Sequence, residues 1–411
     1  MIVENAVCTG CSLFCNDIDV EVENLSVIKT RGACSHGTAR LKGFHQNRLK
    51  EPLLEGKKVG VDEAVEAIAE KIKQSRAPLI YGGESSSNRV VELALRLAEK
   101  IYAYYDSPPS ICRITVPIQE EVRVKNLTLD EILDEADFVL YWGVSIADTH
   151  LRHASKYAVM PRGRTIKMGR ENRVVSVIDV RESMSMKIAQ HRIVINPCTD
   201  IYMVKAIMDS MEGSAQILGA STARQVMLMS SDLKGASSIA IFLGRGIMRC
   251  GKGEENVRAL LSLAKTLIEE RKCSVHPLAE NINSYGQAKV MWKTLGTCLP
   301  YNFKERKVVE PVDSLLARTN IDFVLAIGSD FLTQIPLQIS KKLKGKIACT
   351  TELKSVTQAY SNIAVPVKIL GVETGGVVTR TDGVDVELKH FICNEELPSE
   401  EEVLNRLLSL I

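Results

Sequence analysis

Four short apolar runs set the tightest limit on how this chain can fold. They read "DFVLYWG" at 137–143, "VVSVIDV" at 174–180, "SSIAIFLGRG" at 237–246 and "DFVLAIGSD" at 322–330. Each is dense in Val, Ile, Leu and Phe and lacks the polar alternation of a half-solvated strand, so each needs cover on both faces. "APLIYGG" (77–83) and "YAYYDS" (102–107) read as further strands. Helical stretches separate most of these runs. "VDEAVEAIAEKIKQS" (61–75) brings Ala64, Val65, Ile68, Ala69 and Ile72 onto one face, with Asp62 placed to cap it. "RVVELALRLAEKI" (89–101) and "EENVRALLSLAKTLIEER" (254–271) are two more. Apolar strands alternating with helices predict an α/β fold of parallel sheets wrapped by helices.

Two of the strands resemble each other. "ADFVLYWGVSIAD" (136–148) and "IDFVLAIGSDFLT" (321–333) share an acidic residue before the run, a Gly at its end and a polar turn. With 411 residues, too many for one core, this predicts two Rossmann-like sheet domains related by an internal repeat. Each would present a strand's carboxyl end and the following loop, where doubly wound sheets bind nucleotides. No G-x-G-x-x-G fingerprint or G-x-x-x-x-G-K-[ST] loop occurs, so an ordinary NAD site or ATPase loop is not supported. "GRGIMRCGKGEEN" (244–256) is glycine-rich before a helix and reads equally well as a plain strand-to-helix turn.

The N-terminus has a different character. "CTGCSLFC" places Cys8, Cys11 and Cys15 within eight residues, and Cys34 follows in "RGACSHG". A tight turn lets three thiolates face one [4Fe-4S] cube with the fourth arriving from a distance. Gly10 and Gly32 would supply the turns. Structural zinc is the rival, but it favours two separated C-x2-4-C pairs rather than three cysteines crowded at one end and one at the other. Four unrelated buried thiols are the bland alternative. "DIDVEVENLSVIKT" alternates around Asn24 and predicts a small β-hairpin, giving a cluster domain over residues 1–55. Eleven cysteines without a basic, apolar leader point to a reducing, cytoplasmic setting. Fifty-two basic against fifty acidic residues argue against a general nucleic-acid binder, and no run is long enough to cross a bilayer.

One cysteine stands alone in "SPPSICRITV" (107–116): Cys112, followed by Arg113. A [4Fe-4S] segment, two sheet halves and a lone cysteine make a layout similar to the molybdopterin oxidoreductases. Within them the chain resembles the tungsten- or molybdenum-containing catalytic subunit of formylmethanofuran dehydrogenase. The resemblance spans nearly the whole chain and rests on "CTGCSLFCNDI", "PLIYGGESSSN", "YWGVSIADTHLRHASKY", "PRGRTIKMGRENRVVSVIDVRES", "GRGIMRCGKGEENVRALLSL", "IGSDFLTQIP" and "VETGGVVTRTDGV", in that order.

This resemblance implies a fold that binds two pyranopterin guanine dinucleotides, one per sheet half, whose dithiolenes hold W or Mo. Cys112 is the implied protein ligand of that metal, a role suited to a soft thiolate. The implied halves are 56–115 with 296–411, and 116–295. Gly143, Ser145, Asp148 and His150 follow the first repeat strand, where the pterin or pyrophosphate is expected. Asp179 and Arg181 are placed for a ribose, guanine or phosphate, and Ser329 and Asp330 occupy the matching turn of the other half. Arg162, Arg164, Lys167, Arg170 and Arg173 would face the anionic cofactor or, more simply, solvent. His153, His191 and His276 read as structural.

The family reaction reduces CO2 to formate with electrons from the cluster. The implied partners are a β-barrel subunit covering the pterins, since no C-terminal β-barrel is foreseen here, a methanofuran-formylating subunit, and a ferredoxin-like carrier. Three places depart from the family pattern. Arg113 stands where a His follows the metal-binding Cys, and Ala279 where an Arg lies near the metal. "YNFKERKVVEPVD" (301–313) lacks the expected Gly-Tyr-Pro-Arg-Tyr-Asn-Pro signature. An arginine stays protonated near neutral pH and is no general base. These changes leave a second reading open: a paralogue that binds cofactor, transfers electrons or assists assembly without turnover. A zinc-bound structural protein is the third.

Overall fold

A computed structural model describes residues 1–122, 126–214, 219–269, 271–279 and 281–411. The chain divides into two compact units. Unit one comprises Met1–Pro109, Asn281–Arg380 and Asp385–Ile411; unit two comprises Ser110–Glu280 and Thr381–Val384. The architecture is mixed α/β with parallel sheets.

In unit two, among the described residues, five strands form one wholly parallel sheet. Across the sheet they run His191–Val194, Val174–Asp179, Phe138–Trp142, Ser238–Leu243 and Lys272–Pro277. Numbered by chain position this is 3-2-1-4-5, the doubly wound order, with its switch point between Phe138–Trp142 and Ser238–Leu243. Every residue of those two strands is buried, as an uninterrupted apolar run demands.

In unit one, the parallel centre runs Tyr104–Asp106, Pro78–Gly82, Phe323–Ile327, Ile347–Thr351 and Ile363–Pro366. That order is 2-1-3-4-5. Two-residue hairpins pair antiparallel at each margin, Tyr301–Asn302 with Lys307–Val308 on one side and Leu53–Leu54 with Lys57–Lys58 on the other. The two repeat segments therefore hold different ranks. Phe138–Trp142 is the first parallel strand of its sheet and Phe323–Ile327 the third, yet each borders its switch point. The likeness between them is one of strand and turn rather than of whole-sheet topology.

Helix Val61–Gln74 buries Ala64, Val65, Ile68, Ala69 and Ile72, the face its periodicity marked. Each fully buried Val or Ile contributes about 1.5–3 kcal/mol relative to exposure. Its N-cap is Gly60 rather than Asp62. Asp62 lies in the first turn, where its charge suits the helix dipole, and pairs with Arg406. Arg406 belongs to the last helix, Glu400–Leu410, which opens with a capping box between Ser399 and Glu402. The expected hairpin is present as Ile18–Glu23 and Ser26–Arg31, with Asn24 and Leu25 both at positive φ, and Ile2–Ala6 adds a third antiparallel strand. Among the described residues no helix is long and apolar enough to cross a membrane.

Candidate functional site

The cysteine loop leaves strand Ile2–Ala6 and closes on itself: Cys8 N–H donates to the carbonyl of Cys15 at 2.8 Å. Leu13 and Phe14 are buried beneath it, Phe14 packing on Leu370, Val378 and Leu388. The backbone freedom lies at Phe14 (φ 43°) and Gly32 (φ 77°), whereas Gly10 is needed for closeness. A Cβ on Gly10 would stand 3.0 Å from the backbone of Gly37. A Cβ on Gly37 would lie 2.7 Å from Cys8 Sγ and 3.9 Å from Cys34 Sγ. Both sulfurs thus converge on the space that Gly37 leaves bare. Cys34 also caps helix Ser35–Gly43, accepting from Gly37 N, and Gly10 N donates to Cys8 Sγ at 3.4 Å.

Burial pushes the Cys8 thiol up to about 11 and the Cys11 thiol up to about 12, and the charges of the neighbouring thiols add to the rise. Four thiols close enough to repel one another when ionised favour a metal that takes up their charge on binding. Among the described residues no three His, Cys, Asp or Glu side chains gather as ligands of a single metal ion would. A cubane carries each thiolate on a separate iron, so it does not ask for that convergence. Cys8 and Cys34, two of the four ligands such a cluster would need, border the cradle at Gly37.

At the switch point of unit one, the loops after Pro78–Gly82 and Phe323–Ile327 open a cleft of about 180 Å³ lined by Arg40, Ser85, Ser329, Asp330, Glu352 and Glu400. Gly82, Gly83 and Gly328 all have positive φ, and a Cβ on Gly82 would come within 2.3 Å of the Ile327 carbonyl. Only glycine lets these two strand ends pass so closely. Ser329 Oγ is buried with no hydrogen-bond partner among the described residues. Asp330 is tied inward: its Oδ1 accepts from Thr357 N at 2.8 Å and from Thr357 Oγ1 at 2.7 Å. Glu400 accepts from Ser86 Oγ and Thr350 Oγ1, both at 2.5 Å, and its oxygens lie 3.4 Å from where a Gly328 Cβ would be. Burial raises its carboxyl to about 7 against those hydrogen bonds. Arg40 pairs with Glu352 at the cleft and holds a positive charge near Cys8.

In unit two Cys112 is wholly buried and opens helix Cys112–Val122, so it is a helix residue rather than a loop one. Its N–H donates to Ser110 Oγ at 3.2 Å. Arg113 is also buried. The switch point here is a crossing of glycines. A Cβ on Gly244 would lie 2.4 Å from the Gly143 carbonyl oxygen, one on Gly246 2.7 Å from it, and Gly246 N donates to that oxygen at 3.0 Å. Gly143 itself has φ 64°.

Past the crossing, Ser145 Oγ meets Ser185 Oγ at 3.2 Å, and Asp148 is exposed on the short helix Ile146–Thr149. His150 is wholly buried, with Nδ1 on Thr149 Oγ1 at 2.9 Å and Nε2 donating to the Ala279 carbonyl at 3.1 Å. It acts as a brace for the 277–279 strand end, the place where the family pattern has an arginine. Asp179 ends the second strand, half-buried, its carboxyl raised by burial and eased by the charges of Arg181 and Arg249. An acidic residue at that place suits a ribose or guanine.

Three members of the basic run have structural partners, while Arg162 and Lys167 are exposed. Arg173 is buried, and its guanidinium donates to the carbonyls of Ala136, Val159, Pro161 and Leu133. Arg164 pairs with Asp134 at 2.6 Å, and Arg170 bonds the carbonyls of Arg173 and Ile188. His153 packs among Tyr141 and Phe242, with Tyr141 Oη 2.9 Å from its Nδ1, and burial drives its imidazole far below the usual range. His191 faces Asp232 at 2.7 Å. Two features escaped the sequence: Glu400, whose partners lie 314 and 50 residues away, and a Cys198–Cys250 disulfide. No motif signals either, though both cysteines sit just before helices.

Over 431 aligned residues the chain is 27% identical to a subunit of the tungsten-containing formylmethanofuran dehydrogenase 2 of Methanococcus maripaludis, a match covering 100% of this chain and 99% of that protein. It is also 27% identical over 419 residues to the protein of the same name from Methanocaldococcus jannaschii, covering 97% and 96%. No family model matches the chain. Among solved structures, a chain of the formyltransferase/hydrolase complex from Methylorubrum extorquens, in complex with methylofuran, superposes with TM-score 0.68 at 18% identity, covering 87% of this chain and 98% of that one. Acetylene hydratase from Pelobacter acetylenicus superposes with TM-score 0.60 at 12% identity, covering 99% and 69%. The two structures establish likeness of fold. The two sequences establish that the chain resembles, from end to end, one subunit of tungsten-containing formylmethanofuran dehydrogenase, an oxidoreductase.

Proposed function

We propose that this chain is the W- or Mo-carrying subunit of a formylmethanofuran dehydrogenase, interconverting CO2 and formate in the cytoplasm. The observation that carries the reading is the end-to-end match to two subunits of that enzyme. Residues 1–55 would form the cluster domain, with Cys8, Cys11, Cys15 and Cys34 holding a [4Fe-4S] cluster. Cys112 would be the protein ligand of the metal. The two sheet domains, related by the strand-and-turn repeat, would each take one pyranopterin guanine dinucleotide at a switch point: Gly143, Ser145, Asp148, His150, Asp179 and Arg181 in one, Ser329 and Asp330 in the other. When bound, the pterin-held metal supplies two-electron chemistry and the cluster single-electron transfer.

The chain's own residues then have distinct duties. Ser329 Oγ, buried and lacking a partner among the described residues, offers an unspent hydrogen bond to a cofactor in the unit-one cleft. Asp179 accepts from a hydroxyl or amino group. Arg113 supplies fixed positive charge to a small anion such as formate but moves no proton. His150 holds the Ala279 carbonyl in place. The partners are the other subunits of the complex, among them a β-barrel subunit over the pterins and a methanofuran-formylating subunit, with a ferredoxin-like carrier as electron source.

A second reading has its own support. Arg113 and Ala279 replace the expected His and Arg, and a chain of a complex named formyltransferase/hydrolase shares the fold. A cofactor-binding or assembly subunit without turnover would fit these. Metal analysis of the anaerobically purified complex separates the two. Near-stoichiometric W or Mo with about four irons per chain supports the enzyme; iron without W or Mo sinks it. Cys112→Ser should abolish formate-linked dye reduction and keep the cluster spectrum, whereas unchanged activity would remove Cys112 from the metal.

A further inference from the structure

Cys198 and Cys250 join two loops of unit two that the reading above leaves unused. Their Cα atoms are 5.8 Å apart across a sequence separation of 52. Cys198 follows the third strand and stands just before helix Asp200–Met211; Cys250 ends the glycine-rich segment Arg245–Gly251, just before helix Gly253–Ile268. Both residues are exposed, and both are in the left-handed region, at φ 69° and 64°. A non-glycine residue keeps that conformation only where its surroundings enforce it.

The two sides differ in how firmly they are held. Next to Cys198, Asp200 Oδ1 accepts from Trp142 Nε1 at 2.8 Å, deep in the sheet. The other loop is anchored at Ile247, which is buried and whose carbonyl takes a bond from Asn256 Nδ2 at 2.9 Å. Beyond that anchor, Arg249, Cys250, Gly251 and Lys252 are exposed, and the backbone departs from helical geometry at Arg249 and Cys250. This same loop carries the Gly244 and Gly246 crossing and brings the charge of Arg249 to bear on Asp179.

We propose that Cys198 and Cys250 form a reversible dithiol–disulfide couple that clamps the glycine-rich loop Arg245–Gly251 and so sets Arg249 at the nucleotide end of the unit-two sheet. Closure is thiol–disulfide exchange. One thiolate attacks a low-molecular-weight disulfide, forming a mixed disulfide and releasing one thiolate. The second cysteine then displaces the other. The two thiols lose two electrons to the reagent, and their two protons end on the two thiols released. The positive ends of two helices flank the pair, a setting that favours thiolate attack. Opening is the reverse, with a dithiol as reductant. The clamp stands on the loop geometry alone; its bearing on nucleotide binding rests on the function proposed above.

The test uses the full chain, purified anaerobically and poised with a low-molecular-weight disulfide or with a dithiol. Peptide mapping after alkylation should find Cys198 and Cys250 protected together in the first state and alkylated together in the second. Trypsin should cut after Arg249 and Lys252 roughly tenfold faster in the reduced state, while cleavage elsewhere holds steady. Cys198→Ser should cut at the reduced rate under both conditions. Alkylation of both thiols after the oxidant, or equal cleavage rates in the two states, overturns the clamp. Guanosine diphosphate should bind about three- to tenfold more tightly to the clamped chain, the effect of one added charge contact on a phosphate. Equal affinity in the two states overturns the link to the nucleotide. No binding in either state counts against the nucleotide reading and leaves the clamp to the protease result.

Discussion

The two switch points are built from the same kind of strand and solve the same packing problem in different ways. In unit one, strands Pro78–Gly82 and Phe323–Ile327 part above a cleft lined with Ser329, Asp330 and Glu400. In unit two, Gly143, Gly244 and Gly246 press backbone against backbone. The obstacle near Gly328 is a hydroxyl, Ser86 Oγ at 2.4 Å, which can rotate away. The obstacle near Gly244 is the Gly143 carbonyl at 2.4 Å, which cannot. Unit one has a rigid crossing too, Gly82 against the Ile327 carbonyl, but sets the movable, polar turn at Gly328 beside it; in unit two Gly244 and Gly246 both meet the fixed Gly143 carbonyl. A repeated sequence segment therefore does not dictate a repeated site; the residues after the strand decide.

The largest expected effect tests that contrast directly. Gly244→Ala forces a Cβ into a carbonyl oxygen and should destabilise the chain by about 3 kcal/mol, at the upper end of overpacking costs. Gly328→Ala meets a movable hydroxyl and the cost of a left-handed alanine, about 1–2 kcal/mol. Apparent unfolding midpoints, measured side by side, should rank the two variants in that order. Equal losses would show that the unit-two crossing is no stiffer than the unit-one cleft.

Arg173→Met comes next. Four carbonyls lose their donor, and each unmet buried carbonyl costs about 1–3 kcal/mol before relaxation. A net loss of about 2 kcal/mol in stability, with no change in nucleotide binding, is the expected outcome. Weakened nucleotide binding at unchanged stability would return Arg173 to the cofactor-facing role that its place in a basic run first implied. That run shows what the sequence could carry and what it could not. Strands, the hairpin around Asn24 and the buried face of Val61–Gln74 were legible because they follow from local periodicity. The fate of a charged side chain was not, because it depends on which carbonyls the tertiary fold leaves bare. The role of Gly37 was likewise invisible: it stands three residues past Cys34 in "RGACSHG", but only the folded loop brings Cys8 to it. Cys112 could be picked out as solitary, but its burial and its place at the head of a helix could not.

Glu400 gives the unit-one cleft a pH signature of its own. Burial raises its carboxyl from an ordinary 4.5 to about 7 in the fold. Between those values the folded chain holds a proton that the unfolded chain has lost. This favourable contribution is fully present below the unfolded value and is lost as pH rises through the folded one. Stability should therefore fall by about 1–3 kcal/mol from this group alone between pH 5 and 8. Glu400→Gln keeps the shape, removes the titration and should flatten that part of the profile. A slope that survives the substitution would assign it elsewhere.

The smallest effect expected on stability is also the most informative about ligands. Asp179→Asn sits at a strand end, half-buried, with a backbone bond from Val180 N at 2.7 Å to its Oδ1. An amide oxygen can still accept that bond, so stability should move by less than about 0.5 kcal/mol. The replaced oxygen becomes a donor, and the negative charge facing Arg181 and Arg249 disappears. A guanine or ribose held by that carboxylate would lose a charge-assisted bond, about 1.5–3 kcal/mol, and the chain should retain roughly tenfold less nucleotide or lower. Ser329→Ala in the other cleft removes one neutral hydroxyl and should cost retention about 0.5–1.5 kcal/mol. If the ranking is reversed, the polar, adaptable cleft of unit one is the tighter nucleotide holder, and the glycine crossing of unit two serves chiefly to shape the backbone around it.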